Sequence, residues 1–176
     1  MSTTKVNADV LDLTDDYAFT GTVTGAGGGV VVQVVNTQTG AVATGTTQLP
    51  NDDTIPQNNE GNEYMTLAIT PTSASNKLLI EVSTVGSAAT GHMLGVALFQ
   101  DSTAGAIASS TETFATNELT NVSYSHYMTS GATSSTTFKV RMGVGTSTTT
   151  TFNGNAGGRF YGGLLASSIT ITEISV

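Results

Sequence analysis

From residue 30 onward the chain alternates short apolar runs with clusters of turn-forming residues, a rhythm that fits strands stacked in a sandwich or barrel and not strands alternating with helices. Period-two patterning is clean in three places. Leu78, Ile80 and Val82 oppose Lys77, Leu79 and Glu81; Phe138, Val140, Met142 and Val144 oppose Lys139 and Arg141; Ile169 and Ile171 oppose Thr170 and Thr172. The spacing predicts strands near 30–36, 41–48, 63–70, 77–85, 92–100, 104–109, 118–130, 136–144 and 167–176, with almost no helix.

One strand departs from alternation. In His92, Met93, Leu94, Gly95, Val96, Ala97, Leu98 and Phe99 neither face is polar, so the strand is expected to be covered on both sides, its outer face by another element or by a neighbouring subunit. Leu94, Val96 and Leu98 are therefore candidate interface residues. The strand ending at Ser130 places Val122, Tyr124, His126 and Met128 on one face and Ser123, Ser125, Tyr127 and Thr129 on the other, which makes Tyr127 a candidate extension of the same interface. Between Pro50 and Asn62 the chain reads as a long surface crossing stiffened by Pro50 and Pro56.

Residues 1–29 are of a different kind. Asp9, Asp12, Asp15 and Asp16 lie among Val6, Val10, Leu11, Leu13, Tyr17 and Phe19, and the segment closes in Gly25, Gly27, Gly28 and Gly29. Clustered glycine marks a joint more readily than a strand interior. The expected organisation is an arm and hinge over 1–29 and one β domain over 30–176, with Val10, Leu11, Leu13, Tyr17 and Phe19 as the arm's candidate anchoring residues.

Charge narrows the partners. Charged residues make up 10% of the 176-residue chain, and 13 acids against 5 lysines and arginines give a net charge of -8. Phosphate binding needs several clustered cations, and the one close basic pair, Lys139 and Arg141, reads as a solvated stripe, so no nucleic-acid partner is expected. No stretch approaches the roughly 18 apolar residues of a membrane span, the run Val30 to Val35 being too short, and the start lacks a signal peptide's apolar segment, so neither a span nor export by that route is expected. There is no cysteine, hence no disulfide, thiolate metal site or cysteine nucleophile.

Catalytic patterns are missing as well. The chain has no nucleophile elbow, phosphate loop, dinucleotide fingerprint or paired metal-binding histidines, and its two histidines, His92 and His126, sit on separate predicted strands. His126 is weighed as a catalytic base and reads better as a half-buried strand histidine. Asp101, Glu112 and Glu118 are the carboxylates that would have to converge for sugar hydrolysis. The arm aspartates lack the spacing of a helical-hand calcium loop. No cofactor, no metal and no enzymatic activity are expected.

The stretch from Asp12 to Gly25, DLTDDYAFTGTVTG, resembles the N-terminal segments of bacteriophage tail-fibre and virion-surface proteins. Residues 33–82, the GGRFYGG segment at 157–163 and the closing SITITEI resemble a jelly-roll module of phage fibre ends and head-decoration proteins. The resemblance implies an antiparallel, tumour-necrosis-factor-like jelly roll assembled as a homotrimer on the virion surface, made in the host cytoplasm. Two roles follow from it. One is a capsid cement or decoration protein whose arm binds the major capsid protein; this is preferred because no coiled-coil, collagen or β-helix repeat is present to make a shaft. The other is the receptor-binding domain of a short tail fibre, attached to fibre or baseplate protein and holding a host surface glycan with Asn153, Asn155, Arg159 and Tyr161.

Overall fold

The computed structural model describes residues 29–176. Their regular structure is β1 (Val31–Thr39), β2 (Ala43–Gly45), β3 (Asn62–Ile69), β4 (Lys77–Ala88), β5 (His92–Gln100), β6 (Ala108–Phe114), β7 (Thr120–Thr129), β8 (Thr136–Val144), β9 (Thr150–Phe152), β10 (Gly154–Asn155), β11 (Gly158–Arg159) and β12 (Ser167–Ile174), with one 3-10 turn at Tyr161–Gly163. The anchoring candidates Val10, Leu11, Leu13, Tyr17 and Phe19 lie outside the described residues.

Four nested antiparallel pairs organise the strands: β1 with β12, β3 with β8, β4 with β7 and β5 with β6. This is one long hairpin doubled back on itself and closed by two further pairings, β12 with β4 and β8 with β5. The outcome is two sheets, β1-β12-β4-β7 and β3-β8-β5-β6, the first prolonged by β9 and β2 beside the end of β4. The fold is therefore an all-β jelly roll with two interlocked Greek keys. β1 enters and β12 leaves at the same end of the sandwich, because they pair from Val31 with Ile174 to Thr39 with Ser167. The nine residues of β1 put that end roughly 30 Å from the opposite one.

The period-two residues fill the space between the sheets. Leu78, Ile80 and Val82 of β4, Ile169 and Ile171 of β12 and Val122 of β7 meet Leu94, Val96 and Leu98 of β5 and Phe138, Val140 and Met142 of β8, each 2% exposed or less. Tyr64 stacks on Phe152 with ring centroids 4.8 Å apart, and its hydroxyl reaches Thr150 Oγ1 at 3.1 Å.

The doubly apolar strand β5 is covered from within its own chain. Gly95 and Gly143 stand opposite each other in the sheet, and a Cβ on either would lie within 3 Å of Leu49, so bare backbone makes the seat for that side chain. Leu49 packs there with Ala97, Phe99 and Ala106, while its N–H donates to Val144 O at 3.0 Å. Arg141 holds the same crossing down: Nε donates to Glu60 O and Nη2 to Gly61 O, both at 2.8 Å, and Nη1 meets Glu63 at 3.3 Å. The pair read as a solvated stripe is thus corrected at Arg141, which is a clamp for the loop.

Three boundaries differ from the sequence expectation. The strand expected at 41–48 is only Ala43–Gly45, because the chain leaves the sheet to carry Leu49 across the other one. The strand expected at 104–109 runs instead from Ala108 to Phe114; residues 104–106 bond to the 56–58 crossing through Asn58 N to Ala104 O and Ala106 N to Pro56 O. Three short strands, β9 to β11, occupy 150–159, where no strand was expected.

Candidate functional site

Catalytic geometry does not form around the candidate residues. β5 carries His92 and β7 carries His126, and these strands belong to different sheets. His126 lies half-buried opposite Ile80. Asp101 accepts from Thr136 Oγ1 at 2.8 Å and Thr137 N at 2.7 Å in the turn after β5, whereas Glu118 accepts from Ala115 N at 2.9 Å in the turn after β6, at the other end of the sandwich. Glu112 is exposed in mid-strand on β6, so the three carboxylates do not converge. Among the described residues no group of three or more His, Asp or Glu is placed to hold a metal ion, and no helix is long and apolar enough to cross a membrane.

One carboxylate is fully interior. Glu173 on β12 is 0% exposed and accepts from Thr72 N and Thr72 Oγ1, both at 2.8 Å, and from Asn76 Nδ2 and Gln33 Nε2, both at 2.6 Å. Burial alone would raise its pKa, but these four bonds to the charged form outweigh it and hold the carboxyl down at about 2. The arrangement ties the β3–β4 loop to the first and last strands. Tyr124 shows the opposite case: its hydroxyl is buried with no hydrogen-bond partner among the described residues, and burial pushes its pKa upward.

What the molecule offers to partners is surface. On the outer face of the first sheet the register sets Val34, Thr172, Leu79 and Tyr127 in one cross-strand row, and Val31, Ile174, Lys77 and Thr129 in the next. Tyr127 is 58% exposed and Val31 and Val34 are each 55% exposed. Val30, Val32 and Val176 enlarge this apolar area at the end where the described residues begin and finish. Beyond the rows the face turns polar in a shallow basin of about 500 Å³ lined by Glu81, Ser83, Ser123, Ser125, Ser168 and Thr170. Leu94, Val96 and Leu98, expected at a subunit interface, are 0% exposed within the single chain and present nothing to a partner, whereas Tyr127 does lie on an open face. The reason is that these three side chains point into the core between the sheets, while the other face of the strand, Gly95, Ala97 and Phe99, is roofed by Leu49, a cover that sequence periodicity does not reveal.

A second surface lies at the opposite end, around Arg159, Phe160, Tyr161 and Leu164. Tyr161 is 76% and Leu164 88% exposed. Of the residues named there for a glycan, Asn153 is fully buried and structural: Nδ2 donates to Thr39 O at 2.7 Å and Ala41 O at 3.1 Å, and Oδ1 accepts from Ser167 at 2.6 Å. Asn155 is spent on Asn117 O and Ser87. Arg159 and Tyr161 remain exposed.

No protein-family model matches the chain, and no curated protein matches it in sequence. Solved structures to which it is similar include Eiger TNF from S. frugiperda, at 8% identity and TM-score 0.47 over 81% of this chain and 93% of that one. An infectious bursal disease virus T13 particle protein is similar at 15% identity and TM-score 0.43, over 83% of this chain and 36% of that one. Bacteriophage CBA120 tailspike protein 4 is similar at 15% identity and TM-score 0.28, over 69% of this chain and 19% of that one. At these values the likeness carries no activity or partner over to this chain.

Proposed function

We propose that this protein is a non-enzymatic structural component of a bacteriophage particle, a homotrimeric cement or decoration protein that sits on the head shell and is fastened by its N-terminal arm. The observation that carries the assembly part is the exposed Val34–Thr172–Leu79–Tyr127 row with its Val31–Ile174 neighbour, an apolar face that closed association of identical subunits would cover. The virion part is supported by the resemblance over residues 12–25, 33–82, 157–163 and 168–174. Both described ends, Gly29 and Val176, sit beside that face, so three arms would leave the trimer together toward one side. Modest contacts per arm then give firm attachment through multivalency. Neither nucleic acid nor a cofactor has a part in this reading.

The test is Tyr127→Asp combined with Leu79→Asp, examined by sedimentation at micromolar concentration. Trimers in the parent and folded monomers in the variant support the reading. A variant that remains fully trimeric refutes the interface, and a parent that is monomeric refutes the assembly. The receptor-binding alternative keeps one specific point in its favour, the exposed aromatic segment at the pole away from Gly29 and Val176.

A further inference from the structure

The segment from Asn153 to Leu164 is built stiffly to project side chains that no part of the described chain uses. Asn153, Ala156, Gly157, Tyr161, Gly162 and Gly163 all have positive φ. For Tyr161, at φ 49°, the left-handed region is unfavourable, and a residue kept there without glycine's freedom marks a conformation imposed by its surroundings. Those surroundings are visible. Gly163 N donates to Phe160 O at 3.0 Å and Leu164 N to Tyr161 O at 3.1 Å. Gly40 packs against Gly163 so closely that a Cβ there would lie 1.9 Å from the Gly163 carbonyl oxygen. Asn153 pins the base to the β1–β2 turn. The tip thus presents Tyr161 with Phe160 beside it, ring centroids 6.2 Å apart and tilted by 53°, next to Arg159. Arg159 is exposed and makes no ion pair among the described residues, in a chain whose net charge is -8.

We infer that this tip is a binding site for an acidic sugar, a pyranose bearing a carboxylate or phosphate group. An exposed aromatic ring offers an apolar face on which the C–H face of a pyranose stacks. The guanidinium of Arg159 supplies paired donors in the planar fork that suits carboxylate and phosphate oxygens. The size of the surface argues against a protein partner, since a few side chains on a convex tip fall far short of the roughly 800 Å² per partner of a stable interface. A single arginine can pair with one acidic group but falls short of the cluster of basic residues that holds a protein to an anionic membrane surface. A site for one sugar is weak alone, and the same repetition that strengthens the arms strengthens three such tips. The site belongs to the single subunit, so it stands or falls independently of trimer formation and of a head or tail position.

The experiment is an amide-shift titration of the full chain with methyl glucuronide, glucose 6-phosphate and methyl glucoside, alongside sedimentation with phosphatidylglycerol and phosphatidylcholine vesicles. The two acidic sugars are expected to shift Gly158 to Leu164 with millimolar affinity, and the neutral glucoside to bind at least about fivefold more weakly. Tyr161→Asn, which tolerates positive φ and so keeps the backbone, should abolish the response while the rest of the spectrum stays unchanged. Arg159→Ser should bring the acidic sugars down to the level of the glucoside. No response at this segment to any sugar overturns the site, as does vesicle binding in place of sugar binding. Equal binding of all three sugars overturns the role of Arg159.

Discussion

Removing the Glu173 carboxylate should destabilise the fold by several kcal/mol, with a pH dependence that identifies the cause. In Glu173→Ala four donors lose their acceptor. Gln33 keeps its bond to Thr70 O at 2.8 Å, and the exposed Thr72 hydroxyl can turn to water. Asn76, 5% exposed, keeps its bond to Thr72 Oγ1 at 3.1 Å but loses the acceptor for its other amide hydrogen, and the part-buried Thr72 N–H is left behind with it. At about 1–3 kcal/mol for each buried donor without a partner, the expected loss is about 2–6 kcal/mol, a large share of a domain's stability. Glu173→Gln keeps the volume and one good acceptor, so it should lose less, about 1–2 kcal/mol. Because the folded pKa is depressed from 4.5 to about 2, the carboxylate's contribution is fully present above about pH 4.5 and fades as the pH falls toward 2. Urea unfolding followed by tyrosine fluorescence, at one fixed protein concentration, measures this at pH 7 and pH 3. The gap between the parent and Glu173→Gln should narrow at pH 3. An alanine variant within 0.5 kcal/mol of the parent at pH 7, or a gap that does not change with pH, refutes the reasoning.

Other outcomes follow from single contacts. Tyr124→Phe removes a buried hydroxyl that has no partner among the described residues, so it should raise stability by about 1 kcal/mol in the same unfolding assay. Leu49→Ala should lower stability by about 2–4 kcal/mol, and Gly95→Val should lower it comparably by driving Leu49 off its seat; both are read as shifts in the urea midpoint. Deleting residues 1–24 should leave a folded, assembled protein that no longer sediments with particles lacking the native protein, and a truncated chain that binds as well as the full one contradicts the anchoring role of the arm.

Strands that alternate were legible because each carries its own evidence: Leu78, Ile80 and Val82 or Ile169 and Ile171 show a buried face whatever their neighbours do. β6 was misplaced because Ser109, Ser110, Thr111, Glu112 and Thr113 are polar on both faces at the edge of a sheet, so no alternation marks it. β9 escaped notice because Thr150 and Thr151 are buried by their place beside β4, a long-range consequence absent from a threonine-rich run. The apolar outer face of β5 was legible, but what covers it was not. Leu49 lies more than 40 residues away from Leu94, and only the facing glycines Gly95 and Gly143 hint that something must sit close. Of the surface candidates, Tyr127 stayed outward while Asn153 turned inward, a difference set by the hydrogen bonds of Asn153 to the β1–β2 turn.

The central claim is a place on the outside of a virion head, and direct localisation tests it. Cryo-microscopy of purified particles that carry this chain, compared with particles made without it, should show trimeric density of jelly-roll size on the head shell that is lost in the second sample. The same density at the tail transfers the protein to the receptor-binding role, and intact particles containing none of this chain contradict the account.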